Sequence, residues 1–199
     1  MSYFAPKQAM VSEPILKNIS KHIALDVDEI SHFLSLLKCK RVSRKTVLLR
    51  EAQPCKYLYY VQQGALRAYH IDKHGKESTI MFAVDDWWIT DMYCFLNNKP
   101  SLMYIETIKE SIIYQLSKDN FDKLFAHTPK FERFFRILMQ NAYTREQLRV
   151  IDNLSLTAKE RYNKFLKKYP HIAEVVTQKQ IASYLGVTPE FLSAIRKEP

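Results

Sequence analysis

A chain of 199 residues, 47% apolar and 13% aromatic with only 3 glycines, has a soluble globular composition and length enough for one large domain, or a medium one plus a small one. No apolar run approaches the roughly 18 residues of a membrane span, and Met1 to Val11 lacks the charged-then-apolar order of a secretory signal, so no membrane partner and a cytoplasmic location are expected. The formal charge of +9 favours a polyanionic partner, although eight Lys/Arg against five Asp/Glu from Ile151 onward, and 22 against 16 before it, leave the excess unfocused.

Residues Pro14 to about Lys38 carry helical periodicity. Ile15, Leu16, Ile19 and Ile23 form one apolar stripe; Ile30, Phe33, Leu34 and Leu37 form a second, opened by Asp26, Asp28 and Glu29. From Arg41 to Ser117 the texture turns to short β-rich runs: Thr46–Arg50, Tyr57–Gln62, Ala65–Ile71, Glu77–Val84, Leu102–Ile108 and Ser111–Leu116. Such spacing predicts a barrel or jelly roll. Asp72 to Lys76 reads as a hairpin turn with Gly75 at positive φ, and Gly64 marks another tight connection.

Helix resumes after Ser117, with a short element at Asp119–Ala126 and a long one that Pro129 opens and that ends near Ile151. Phe131, Phe134, Phe135, Leu138, Ala142 and Tyr143 lie on one side of the long helix, rimmed by Arg133, Arg136, Arg145 and Arg149. That face is too wide for solvent. It is expected to pack on its own domain and on a symmetry mate as a dimer seam; packing within one chain is the alternative. Asn153 to Thr157 is the expected hinge, with Ser155 or Thr157 capping a helix that ends near Lys168. Lys159, Arg161, Lys164, Lys167 and Lys168 make that helix basic, either along phosphates or as a solvated face.

The segment Thr177–Lys197 carries the strongest signal. Thr177 and Gln180 have capping-box spacing, Ile181 and Leu185 are a buried stripe one turn apart, and small Ala182 leaves room for a crossing helix. Gly186 fits a left-handed helix end, Thr188 a cap and Pro189 a first helical position. Val187, Leu192 and Ile195 would face inward, leaving Thr188, Pro189, Glu190, Ser193, Ala194 and Lys197 outward. Two helices so arranged form a helix-turn-helix whose outward face suits the DNA major groove; an αα-hairpin that only packs, or binds protein, is the bland reading.

This order resembles the cyclic-AMP-receptor/fumarate-nitrate-regulator (CRP/FNR) family over residues 14–199, most specifically at Tyr57–Tyr69, the turn Asp72–Glu77, and Thr177–Lys197. Glu160–Pro170 with Thr188–Glu190 is most similar to the Bacteroidetes-type branch. The resemblance implies an α+β chain with three parts. A cyclic-nucleotide-binding-like jelly-roll sensor occupies 1–128, a dimerisation helix 129–153 and a helix-turn-helix domain 154–199. It further implies a homodimeric, non-enzymatic transcription regulator partnered by double-stranded DNA and RNA polymerase.

Cyclic-nucleotide-binding members hold the phosphate with backbone amides and an arginine, and the ribose with a glutamate. The matching stretch here is Trp88–Met92 and then Lys99–Met103. Thr90 replaces the glycine, Asp91 the glutamate, and Ser101 or Leu102 stands where arginine should be. A buried phosphate without a cation lacks donors to offset its desolvation, so no cyclic AMP and no other cofactor is expected. Trp87, Trp88, Met92, Met103 and Tyr104 would line a pocket for another ligand or fill it themselves.

Cys39, Cys55 and Cys94 are too few and too scattered for an iron–sulfur cluster and fit reduced thiols. His70, His74 and Glu77 share a hairpin, yet His74 sits at its tip and no metal site is expected; a metal-dependent jelly-roll enzyme or small-molecule binder is the rival reading. Where related recognition helices often carry an arginine for guanine, this chain has Ala194. Glu190 remains to read bases, Ser193 and Thr188 could reach bases or phosphates, and Lys179, Arg196 and Lys197 suit phosphates; Thr177, Gln178 and Pro189 complete the expected DNA-binding set. Arg196 could equally pair with Glu190.

Overall fold

The computed structural model of the chain describes residues 6–197, with side chains from Glu13 onward, so part of the Met1–Val11 segment lies outside the described residues. Helices α1 (Pro6–Ser20) and α2 (Val27–Ser35) precede eight strands. The helical region expected over Pro14–Lys38, with its two stripes, is two helices and the start of a strand. Pro14 lies inside α1 instead of opening it. Asp26 divides the pair, since its carboxylate accepts from the Glu29 amide at 2.9 Å while Glu29 returns a bond to the Asp26 amide.

The strands are β1 (Leu37–Val42), β2 (Val47–Leu49), β3 (Tyr57–Gln63), β4 (Ala65–Ile71), β5 (Glu77–Val84), β6 (Trp87–Ile89), β7 (Tyr104–Thr107) and β8 (Ser111–Ser117), with the short helix α3 (Met92–Asn97) between β6 and β7. They pair antiparallel in two four-stranded sheets, ordered β1-β8-β3-β6 and β2-β7-β4-β5, which form the roll. Gly64 joins the sheets at φ +125°, where a Cβ would meet Ser111 Oγ at 2.1 Å, so only glycine fits. At the β4–β5 hairpin the Asp72 carboxylate accepts from the amides of His74 (2.8 Å) and Lys76 (2.9 Å), and these bonds hold its pKa below the usual carboxylate range.

Helices α4 (Lys118–His127) and α5 (Lys130–Ser155) follow. The N-terminal half of α5 belongs to the core of the roll. Phe131 stacks on Phe33 at 4.9 Å, Phe134 and Phe135 approach Trp88 at 6.0 and 5.6 Å, and Phe135 meets Phe121 at 4.9 Å. The helix runs past the expected break at Asn153 to Ser155, which shrinks the hinge to Leu156, in extended backbone, and Thr157. Thr157, not Ser155, caps α6 (Ala158–Lys168) in a capping box with Glu160.

Then come α7 (Pro170–Val175), α8 (Gln178–Leu185) and α9 (Pro189–Lys197). Tyr162, Phe165, Ile172, Ile181, Leu185, Leu192 and Ile195 build a second core that takes in Ala65, Phe82 and Ile108 of the roll. The C-terminal helices thus dock on the outer side of the second sheet. Ser183 of α8 seals that contact, accepting from the Thr79 amide at 2.8 Å and donating to the Glu77 carbonyl at 2.8 Å.

Candidate nucleic-acid interface and effector site

The two-helix element at the C-terminus has the geometry its caps dictate. Thr177 Oγ1 accepts from the Gln180 amide at 3.2 Å, and the Gln180 side chain accepts from the Thr177 amide at 2.9 Å. Gly186 takes φ +73°, and the Thr188 hydroxyl accepts from the Phe191 amide at 3.1 Å. Ile181, Ala182, Leu185, Leu192 and Ile195 are buried between the helices and the domain. Thr188, Pro189, Glu190, Ser193, Ala194, Arg196 and Lys197 are exposed, as are Thr177, Gln178 and Lys179 at the start of α8. The outward face of α9 carries two cations and one carboxylate, together with half-exposed Phe191, which the apolar pattern alone did not mark as a surface residue.

In the sensor, the residues matching the phosphate cassette are bonded to one another. Asp91 is 1% exposed and caps α3; its carboxylate accepts from the Cys94 amide (3.1 Å), Ser101 Oγ (2.9 Å) and the Leu102 amide (2.9 Å). Ser101 Oγ also lies 2.9 Å from the Met103 carbonyl. Thr90 is buried and donates to the Tyr57 carbonyl at 2.9 Å. Met92 and Met103 pack partly buried against the core, and the Leu102 side chain is exposed.

Trp88 departs from its expected place. In β6 it pairs with Tyr60, its ring rests on Phe134 and Phe135 of α5, and its indole N–H donates to Asn18 of α1 at 3.1 Å. Strand alternation explains this, because Trp88 and Tyr60 share the face toward the helices while Ile89 and Tyr59 take the other.

The expected dimer residues also fall elsewhere. Phe131 and Phe134 are fully buried and Phe135 nearly so within the sensor core, and Leu138 and Ala142 are partly covered. A symmetry mate has no access to the three phenylalanines. The unpartnered apolar surface lies on the C-terminal half of α5, where Tyr143, Val150, Ile151 and Leu154 are exposed. At about 100° per residue these four share one side of the helix. Arg145, Leu148, Arg149 and Asp152 occupy the opposite side, facing α6 and α8. The 4-3-4 register of Tyr143, Gln147, Val150 and Leu154 is the sequence signal that could have marked this uncovered side.

Tertiary structure also joins residues distant in sequence. The Cys55 amide donates to Cys94 Sγ at 3.1 Å, and both are free buried thiols, while Cys39 is exposed. Burial pushes the Cys94 thiol up to about 11. His70 Nδ1 lies 3.0 Å from the Leu102 carbonyl, His74 is exposed at the hairpin tip, and Glu77 is bound by buried Arg67 at 2.6 Å. Arg67 also reaches Glu106 at 2.6 Å and lies over the Tyr69 ring at 4.0 Å, an ion triad that the strand pattern did not reveal.

Residues 39–128 match the family "Cyclic nucleotide-binding domain". The regulatory protein HlyX of Actinobacillus pleuropneumoniae is 21% identical over 190 residues, 89% of this chain and 75% of that protein. Among solved structures, the c-di-GMP-responsive global regulator CLP of Xanthomonas campestris superposes with a TM-score of 0.72 at 16% identity, covering 86% of this chain and 90% of that one. FixK2 of Bradyrhizobium japonicum gives 0.71 at 17% identity, covering 80% and 82%. At such identities the structures establish the shared fold: roll, long helix and C-terminal helical region. With the match over residues 39–128, they give the chain a cyclic nucleotide-binding-like roll followed by a long helix and a C-terminal helical region.

Proposed function

We propose that the chain is a homodimeric, one-component DNA-binding regulator that reads a two-fold-related operator in the cytoplasm through α9. One observation carries the reading: Thr188, Pro189, Glu190, Ser193, Ala194 and Lys197 stand in solvent on a helix whose Leu192 and Ile195 are buried. A helix anchored in this way is free to enter a major groove with its first turns. Glu190 and Ser193 are assigned to base edges, and Lys179, Arg196 and Lys197 to phosphates. The dimer is assigned to Tyr143, Val150, Ile151 and Leu154 of α5, whose exposed apolar side suits a parallel two-helix seam. RNA polymerase is the further partner this type of regulator implies, and the Bacteroidetes-type affinity rests on Glu160–Pro170 and Thr188–Glu190 alone.

We further infer that the sensor does not take cyclic AMP. Asp91 spends its carboxylate on three internal donors, and neither Ser101 nor Leu102 supplies a cation for a phosphate. The test of DNA reading is fluorescence anisotropy with duplex DNA across a salt series. Each phosphate contact contributes about −0.9 to the slope of log affinity on log salt. A steep slope that becomes shallower by about one unit in Lys197→Ala is expected; a flat slope, or one unchanged in the variant, contradicts the assignment.

A further inference from the structure

Where α5, α6 and α8 meet, a half-enclosed recess of about 70 Å³ lies outside both the roll and the recognition face. Arg145, Arg149, Arg161, Lys164 and Lys168 line it, and Asp152 is the one carboxylate among the lining residues. Among the described residues, two acidic groups answer these five cations. Glu146 pairs with Arg149 at 2.7 Å and Arg145 at 3.4 Å, and Asp152 pairs with Lys164 at 2.6 Å. A positive excess therefore remains in a partly desolvated place, where like charges repel strongly.

The donor arrangement is also incomplete. Arg149 Nε and Arg161 Nε are buried and have no hydrogen-bond partner among the described residues. Other nitrogens of each guanidinium are engaged. Arg161 donates to the carbonyls of Leu156 (3.2 Å) and Leu185 (3.3 Å), tying the hinge to the end of α8. Arg149 reaches Glu146 and lies over the Tyr184 ring at 5.4 Å. A recess lined by five cations, with two carboxylates to answer them, suits an anion with several acceptor oxygens. The volume holds about five water-sized positions, the scale of one tetrahedral oxyanion.

We propose that this recess binds a phosphoryl anion, free phosphate or a small phosphomonoester, and that occupancy fixes the C-terminal domain against α5. The site joins the helix before the hinge (Arg145, Arg149), the helix after it (Arg161, Lys164, Lys168) and, through Tyr184, the helix on which α9 is mounted. Neutralising the excess removes repulsion across the hinge. The binding step is independent of DNA recognition; only its consequence for the reader rests on the function proposed above.

The experiment is isothermal titration of the full chain with sodium phosphate, using sodium chloride of matched ionic strength as control, on wild type, Arg149→Gln and Lys168→Gln. Thermal melts verify that both variants fold, and Arg161 is left intact because it holds two carbonyls. Saturable phosphate binding, weakened at least tenfold in the variants, together with a phosphate-dependent change in duplex affinity, is expected. Heats that follow ionic strength for both salts, or a saturable isotherm unaltered in both variants, overturn the site. So does weakened duplex binding in the variants when the free protein takes up no phosphate, because the cations then serve the DNA backbone. Saturable, variant-sensitive phosphate binding in a protein with no duplex affinity sustains the site and removes the DNA reading instead.

Discussion

Replacing Leu154 by glutamate separates the seam assigned here from the phenylalanine face that periodicity first suggests. Leu154 is 84% exposed in the single chain. Fully burying a leucine stabilises by about 1.5–3 kcal/mol, so covering it contributes about 2 kcal/mol per protomer and about 4 kcal/mol per symmetric dimer. At 1.4 kcal/mol per tenfold, Leu154→Glu raises the dimer dissociation constant by about three orders of magnitude, before like-charge repulsion across the two-fold axis is added. Sedimentation equilibrium reads this directly. Phe134→Ala is the contrasting variant: fully buried in the sensor, it costs about 3–5 kcal/mol of folding stability while leaving the association constant of the folded protein near wild type. A Leu154→Glu protein that associates like wild type, or a Phe134→Ala protein that folds normally but stays monomeric, refutes the placement.

Gly186→Ala meets no atom within 4 Å, so its cost is the left-handed backbone alone, about 1–2 kcal/mol. The melting midpoint falls by about 2–8 °C for a chain of this size; an unshifted midpoint contradicts the cap geometry. Asp91→Ala leaves the buried Cys94 amide and the part-buried Leu102 amide without their acceptor. That loss is about 1–3 kcal/mol for each group, read in the denaturant midpoint, and a gain of cyclic AMP binding would count against the closed-cassette account. His32 stacks on His127 at 3.8 Å, and burial first, then the His127 charge, hold its pKa below the ordinary 6.5. Its folded pKa is the lower one, so its stabilisation is complete above about pH 6.5 and fades as pH falls through the folded value. His32→Phe should flatten the stability profile below pH 6.5, and a profile as steep as wild type would assign the acid sensitivity elsewhere.

The C-terminal two-helix element was legible because its signals are local. Thr177 with Gln180, Gly186, and Thr188 with Pro189 each decide a helix end within four residues, and the structure carries the corresponding bonds. Strands β4 and β5 were equally plain. The two missed strands, β1 and β6, are the edges of the first sheet. An edge strand needs little apolar alternation and is protected by charge; Lys38, Lys40 and Arg41 in β1 read as surface, and β6 has only three residues. Long-range assembly was less visible still. The Cys55–Cys94 contact bridges 39 positions, and Trp88 went to the helices because pairing register, not composition, sets which face a strand residue takes. In α5 the phenylalanines dominated the apolar count, yet the sensor used them up, leaving the weaker stripe of Tyr143, Val150 and Leu154 uncovered.

The measurement that bears most directly on the regulator reading is selection of bound duplexes from a random DNA library by the purified full chain. The account expects enrichment of two inverted half-sites with centres about 10–10.5 base pairs apart, or a multiple of that, and loss of base preference at defined positions in Glu190→Ala and Ser193→Ala. A library that returns unenriched, or the same motif from wild type and both variants, would contradict it.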